Sequence, residues 1–419
     1  MEITRIVGGR RLCGDVVVGG SKNACLPMLA ASLLTCEECV IHNVPALSDV
    51  VTMIAILREL GVSVNRIGEH SVKIHARNAS FVVPEIYMQK MRASVCLMGA
   101  LIGRTGKAIV PIPGGCVIGC RPIDLHIKGF RALGCRTVRR RDFFVMDGSR
   151  LHAEKITLSG ERGSTVTGTI NVIMAAIKAP GESVIEGAAV EPEVSDFCGY
   201  LSAMGAKISG VGTSTLKVTG GIALHGCEYT VIGDRIEAGT FVCAGLITGG
   251  DVRIFGLERG LLDPFLVGLR RIGARVSQDD DGKITVQSGG QLSYADIVTG
   301  PHPGFPTDLQ AQFCALQTQS CGESTIVEGV YPSRFMYAAE LGKMGAAIRV
   351  ENASARVSGP CALRGACLRA TDLRSSAALY LAGLCASGET FVYDAHHIDR
   401  GYENLEMKLR AIGANIRRV

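Results

Sequence analysis

The stretch VVTMIAILRELGVSV, residues 50–64, carries the pattern on which the fold turns. Its apolar residues fall at spacings of three and four with Arg58 and Glu59 off that stripe, which predicts an amphipathic helix. Gly61 then ends the helix, because glycine enters the left-handed conformation without a steric penalty, and the small and aliphatic residues behind it open a strand. The same ending recurs at LGCRTV (Gly134), MGAKI (Gly205), IGARV (Gly273), MGAAI (Gly345) and IGANI (Gly413). Successive glycines lie 73, 71, 68, 72 and 68 residues apart, a period too regular for chance and too long for a solenoid.

Around these endings the rest of each unit is readable. Runs rich in β-branched residues and broken by Gly, Pro or Asn predict strands leading into loops, as in CVIHNVPAL (39–47), ESVIEGAAV (182–190), STIVEGV (324–330) and ETFVYDA (389–395). A nearly all-apolar segment precedes them, as in LPMLAASLL (26–34), NVIMAAIKA (171–179), TFVCAGLI (240–247) and SAALYLAGL (376–384), and reads as a buried helix. Six α/β units of about 70 residues exceed one core, so two domains of three units are expected, with buried helices at the centre and strands outside. The expected breaks near residues 20 and 232 give one domain from 1–20 plus 233–419 and another from 21–232.

Composition narrows the class of function. Across 419 residues, 47% are hydrophobic and 20% charged, as in an ordinary globular protein. A net charge of +5 is too mild for a nucleic-acid binder. The N-terminus lacks the apolar core of a signal peptide and no run is long enough to span a bilayer, so a cytoplasmic protein without membrane partners is expected. The 16 cysteines are scattered and should mostly be small buried hydrophobes. Cys36 and Cys39 form one CxxC with no second pair or nearby His, a structural pair rather than a zinc site. No metal and no cofactor are expected.

The loops entering the buried helices recur as GGSKN around Lys22, GDRIEAGT around Arg235, PHPGFPTDLQAQ around Asp308 and TDLRSSAA around Arg374. Small residues let a ligand approach the backbone, and the following helix turns its N-terminal amides and positive dipole end to the loop, which suits anions. Lys22 could equally be a solvated lysine, Asp308 a helix N-cap, and Arg400, beside Asp399, half of an ion pair. The densest segment is PGGCVIGCRPIDLH (113–126), where Gly and Pro surround Cys116 and Cys120, with Arg121, Asp124 and His126 close behind. Arginine close by favours a thiolate, which helps a nucleophile and hinders a proton donor.

Taken together, GSKNA, MRAS, PGGCVIGCRPIDLH, HPGFPTDLQAQF, SRFM, ATDLRSSAAL and HIDRGYE closely resemble the UDP-N-acetylglucosamine enolpyruvyl transferases from the first residues to the last. The resemblance implies a two-domain inside-out α/β barrel and transfer of enolpyruvyl from phosphoenolpyruvate to the 3′-hydroxyl of UDP-N-acetylglucosamine. Phosphate leaves through a tetrahedral intermediate, in the first committed step of peptidoglycan synthesis. It implies that Lys22, Asn23, Arg121, Arg374 and Arg400 hold phosphoenolpyruvate. It also implies that Lys22, Arg121 and Arg400 stabilise charge as it moves, with Lys22 and Arg400 counted as catalytic, that Asp308 takes the hydroxyl proton, and that Cys116 serves as proton donor or product-release group and target of fosfomycin. Arg92, Arg121, Pro122, Ile123, Asp124, Leu125, Asp308 and Val330 would contact the sugar nucleotide, with Arg334 and Asp372 lining the same cavity. Relatives differ in placing a basic residue where this chain has Gly163 and a lysine near Ser48. Two rivals are enolpyruvyl transfer to shikimate 3-phosphate and a non-catalytic paralogue that binds UDP-sugar.

Overall fold

A computed structural model describes residues 2–419 apart from 89–90, 113–121 and 162, and omits the side chain of Met88. The chain divides into two compact units, one built from Met1–Gly19 and Gly233–Val419, the other from described residues between Gly20 and Ile232.

Each of the six signature glycines has a positive φ, from 84° at Gly273 to 105° at Gly413. Each ends an amphipathic helix: Ser48–Glu59, Asp124–Ala132, Pro192–Ala203, Asp263–Arg271, Tyr337–Lys343 and Leu405–Ala411. A strand opens two or three residues later in every case, from Ser63–Arg66 to Asn415–Arg418. The reversal is local chemistry, set by a residue without Cβ.

The described strands form six sheets, three in each unit. One example serves for all. Glu38–His42 pairs antiparallel with Ser71–His75, which pairs antiparallel with Ser63–Arg66, while Glu228–Thr230 joins the far side in parallel. Five sheets have this four-stranded order; in the sixth, Lys107–Pro111 finds its parallel neighbour in the single bridge Val82 to Ile109. The N-terminal strand Ile3–Val7 lies between Glu389–Tyr393 and Asn415–Arg418, so the two chain ends complete one sheet. Alternation sets one face inward: Val72 and Ile74 are buried, while Ser71, Lys73 and His75 are not.

Those inward faces cover helices that are buried almost all round. In the second unit these are Lys22–Ala31, Leu97–Thr105 and Val166–Lys178; in the first, Arg235–Ile247, Gln310–Gln317 and Leu373–Cys385. Every residue of Gln310–Gln317 is buried, three glutamines included. Helices Leu97–Thr105 and Val166–Lys178 approach closely because of Gly99: a Cβ there would lie 2.4 Å from the Asn171 carbonyl oxygen. Asn171 uses that proximity, accepting the Gly99 N–H at 2.7 Å on Oδ1 and donating through Nδ2 to the Val95 carbonyl at 3.1 Å. No helix among the described residues is long and apolar enough to cross a membrane.

Candidate functional site

In the first unit the chemistry gathers where the buried helices begin. Asp308 lies in the 3-10 turn Thr307–Leu309, which runs into Gln310–Gln317. Arg334 Nη2 donates to its Oδ1 and Arg374 Nη2 to its Oδ2, each at 2.7 Å. The carboxylate keeps 26% of its side-chain surface, whereas the arginines keep 6% and 5%. Burial alone would raise the Asp308 pKa, but the charges and hydrogen bonds of Arg374 and Arg334 outweigh it and hold the group well below the usual carboxylate range. An N-cap role was one reading of this position, yet Asp308 makes no cap bond to either the turn or the helix. Both its oxygens are spent on guanidinium groups instead.

Capping falls to other aspartates. Asp372 Oδ1 accepts the backbone N–H groups of Arg374 and Ser375 at 2.9 and 3.1 Å, fixing the start of Leu373–Cys385 and with it the stem of Arg374. Asp234 does the same for Arg235–Ile247, accepting from Ile236 and Glu237 at 2.8 and 3.0 Å. The opposite edge of the clamp is as firmly set. Arg334 Nη1 donates to the Thr307 hydroxyl at 2.8 Å, and that hydroxyl donates to buried Glu328 at 2.9 Å. Glu328 also accepts the Thr299 hydroxyl at 2.7 Å and the N–H groups of Val330 and Tyr331 at 2.9 Å, which ties Val330 to the same network. Arg374 Nη1 reaches Tyr402 Oη at 3.3 Å, and Gln312 Nε2 donates to that oxygen at 3.1 Å.

Arg400 ends the 3-10 segment Ala395–Arg400 and is half-buried. Its neighbour Asp399 is taken by Arg418, whose two terminal nitrogens donate at 2.6 and 2.8 Å. The sequence-adjacent pair Asp399 and Arg400 is therefore not how Asp399 is neutralised.

In the second unit, Lys22 and Asn23 are the first two residues of Lys22–Ala31. Pro27 lacks an N–H, so it removes the helical donor to the Asn23 carbonyl in that first turn. Lys22 Nζ lies 3.4 Å from Oδ2 of Asp49, a buried residue in the first turn of Ser48–Glu59. Asp49 was missed in the sequence; the signal was an acidic residue in a helix first turn, one place beyond Ser48. Arg92 opens the 3-10 segment Arg92–Cys96 and is half-buried.

Pro122, Ile123, Asp124 and Leu125 lead into and begin helix Asp124–Ala132, with Pro122 and Asp124 exposed. Leu125 packs beside Gly160, and Gly160 exchanges backbone hydrogen bonds with Gly163 at 2.9 and 3.0 Å. Leu125 is thus a neighbour of the Gly160–Gly163 backbone pair. His126, by contrast, is buried at 3% exposure, accepts from Asn171 Nδ2 on Nδ1 at 2.9 Å, and lies 3.2 Å from the Thr167 hydroxyl. Burial first and the charge of Arg92 second press its pKa down to about 3, so it stays neutral and structural. Cys116, Cys120 and Arg121 lie outside the described residues. Among the described residues, no three His, Cys, Asp or Glu side chains are grouped to hold a metal ion.

What the geometry defines is a fixed carboxylate clamped by two buried guanidinium groups in one unit and a helix-start lysine set by an aspartate in the other. Residues 6–409 match the family of EPSP synthase (3-phosphoshikimate 1-carboxyvinyltransferase), and the chain belongs to that enolpyruvyl transferase family. It is 49% identical over 419 residues to a protein of Methylacidiphilum infernorum named UDP-N-acetylglucosamine 1-carboxyvinyltransferase, covering 100% of this chain and 99% of the relative. A protein of the same name from Koribacter versatilis is 45% identical, covering 99% and 96%. Among solved structures, the enolpyruvyl transferase NikO from Streptomyces tendae superposes with a TM-score of 0.90 at 26% identity, over 100% and 99% of the two chains. An EPSP synthase from Acinetobacter baumannii reaches 0.76 at 16% identity over both full lengths, a likeness of fold alone.

Proposed function

We propose that this chain transfers the enolpyruvyl group of phosphoenolpyruvate to the 3′-hydroxyl of UDP-N-acetylglucosamine and releases phosphate. This is a cytoplasmic reaction that commits material to peptidoglycan. The observation that carries the reading is end-to-end identity of 49% and 45% to proteins bearing the name of that activity. Transfer to shikimate 3-phosphate and a purely binding role have no comparable support.

The clamp gives a physical account of how Asp308 would act. With both oxygens occupied and its pKa held down, it is a poor base in the ligand-free state. An anionic group of the substrate would compete for Arg374 or Arg334. Drawing one guanidinium away would free a carboxylate oxygen and raise its basicity, so that it could accept the hydroxyl proton within hydrogen-bond reach. The displaced arginine would meanwhile neutralise substrate charge, a use of the planar guanidinium that a lysine would not reproduce. Lys22, Asn23, Arg121 and Arg400 are assigned to the phosphate and carboxylate of phosphoenolpyruvate. Arg92, Arg121, Pro122–Leu125, Asp308 and Val330 are assigned to the sugar nucleotide. Cys116 is assigned to proton donation. The three sheets of each unit, packed by one face on buried helices, support an inside-out barrel of three repeats per domain.

The test is phosphate release measured with each substrate alone and with both. Release is expected only with both present. Release from phosphoenolpyruvate alone, or none with the pair, would overturn the assignment.

A further inference from the structure

The sequence offers Cys36 and Cys39 as a CxxC, but the fold gives Cys39 a different companion. Strand Glu228–Thr230 runs parallel to Glu38–His42 with Glu228 opposite Val40, and Val40 N–H donates to the Cys227 carbonyl at 2.8 Å. One residue before that ladder, Cys227 and Cys39 therefore stand side by side on the face opposite Val40 and Glu228. Adjacent strands lie about 4.8 Å apart, inside the Cα separation that a disulfide spans. Cys36 is exposed on the loop, with Arg104 Nη1 at 3.8 Å from its sulfur.

Cys39 belongs to the buried apolar core of this unit, and Cys227 packs against that core from its edge. The hydroxyls of Tyr200 and Ser32 lie 2.8 Å from each other. Tyr200 is fully buried and braced edge-on by Tyr229, at 5.6 Å between ring centroids. Cys39 is itself buried, whereas Cys227 is half-buried and opens to the surface. One thiol is thus reachable and the other is shielded behind it.

We propose that Cys227 and Cys39 form a reversible redox-modification site, oxidised by a hydroperoxide to a cross-strand disulfide. The Cys227 sulfur attacks the outer peroxide oxygen, the O–O bond breaks, and the alcohol, or water from hydrogen peroxide, leaves with the Cys227 thiol proton. Cys227 is then a sulfenic acid. The Cys39 sulfur attacks the Cys227 sulfur, the S–O bond breaks, water leaves, and the S–S bond closes. Two thiols are consumed for each peroxide reduced. The bridge joins the first strand after the chain enters this unit to the last strand before it leaves, and a thiol reductant reopens it.

Peptide mapping of the full chain tests this without requiring any variant. The protein is treated with equimolar hydrogen peroxide, its remaining thiols are blocked with N-ethylmaleimide, and it is digested without reductant. A cross-linked peptide pair joining Cys39 to Cys227 is expected, lost on treatment with dithiothreitol and retained in Cys36→Ser. In Cys227→Ser, checked for folding by circular dichroism, Cys39 should be recovered fully maleimide-labelled on denaturation. A Cys36 to Cys39 link would overturn the proposal. So would sulfinic acid at Cys227 without a bridge, or oxidation no faster than at the half-buried thiols Cys321 and Cys361.

Discussion

Replacing Asp308 by asparagine isolates the charge at the centre of the clamp, because shape is kept and only the carboxylate is lost. Arg334 and Arg374 are 5% and 4% exposed, and each spends a terminal nitrogen on Asp308 at 2.7 Å. Asparagine could satisfy one of them through its carbonyl. Its amide would face the other guanidinium donor to donor, leaving a buried cation without a counter-charge. Removing one partner of a fully buried ion pair costs about 3–5 kcal/mol. Solvent reaches 26% of the Asp308 side chain, so screening reduces the expected loss to about 2–3 kcal/mol. For a unit of this size that corresponds to a melting point lowered by about 5–10 °C.

The pH dependence gives a second reading of the same substitution. Because the folded Asp308 pKa is depressed, its contribution is complete above the unfolded carboxylate value of about 3.9 and is lost as pH falls through the folded pKa. Differential scanning calorimetry of both proteins should therefore find the full gap at pH 7 and a shrinking gap below about pH 4. Equal melting points at pH 7 would refute the clamp. A gap unchanged down to pH 3 would mean that shape, not charge, sets the cost.

Gly99→Ala should lose about 2–3 kcal/mol in urea unfolding, because the new Cβ meets the Asn171 carbonyl oxygen at 2.4 Å between two buried helices. Gly345→Ala has φ of +95° but its nearest neighbour is 3.6 Å away, so only the conformational cost of about 1 kcal/mol is expected. If the two cost the same, close helix packing at Gly99 is not the constraint. Asp49→Asn, which unties Lys22, should lower kcat/KM for phosphoenolpyruvate about tenfold while leaving the KM for the sugar nucleotide in place; an unchanged kcat/KM would make that contact incidental. Fosfomycin should label Cys116 and be blocked by substrate, as read by peptide mass spectrometry; a label on Cys120 would move the proton-donor assignment.

The repeat was legible because its signals are local. A glycine that must turn left-handed, an apolar stripe and a run of β-branched residues each act within a few positions, and all six endings fall where LGVSV and its relatives put them. The buried helix Leu97–Thr105 was not singled out in advance, and Gln310–Gln317 was expected only from the loop around Asp308 that enters it, since its glutamines hide a wholly buried helix among polar letters. At the site, residue types were readable but partnerships were not. Asp308 meets Arg334 and Arg374 across 26 and 66 residues of chain, a pairing that only tertiary packing creates. Asp49 and Glu328 escaped notice for the same reason, and so did Cys227 as the companion of Cys39. Each works through a neighbour distant in sequence.

The central claim concerns the acceptor, since the family takes its description from an enzyme acting on a shikimate phosphate while the full-length relatives are named for a sugar nucleotide. Its most direct test is competition. With phosphoenolpyruvate as donor and equal concentrations of UDP-N-acetylglucosamine and shikimate 3-phosphate, products are separated and identified by mass. The account predicts that only the sugar nucleotide gains an enolpyruvyl group, with phosphate released in equal amount. Comparable or exclusive formation of enolpyruvyl shikimate phosphate would contradict it.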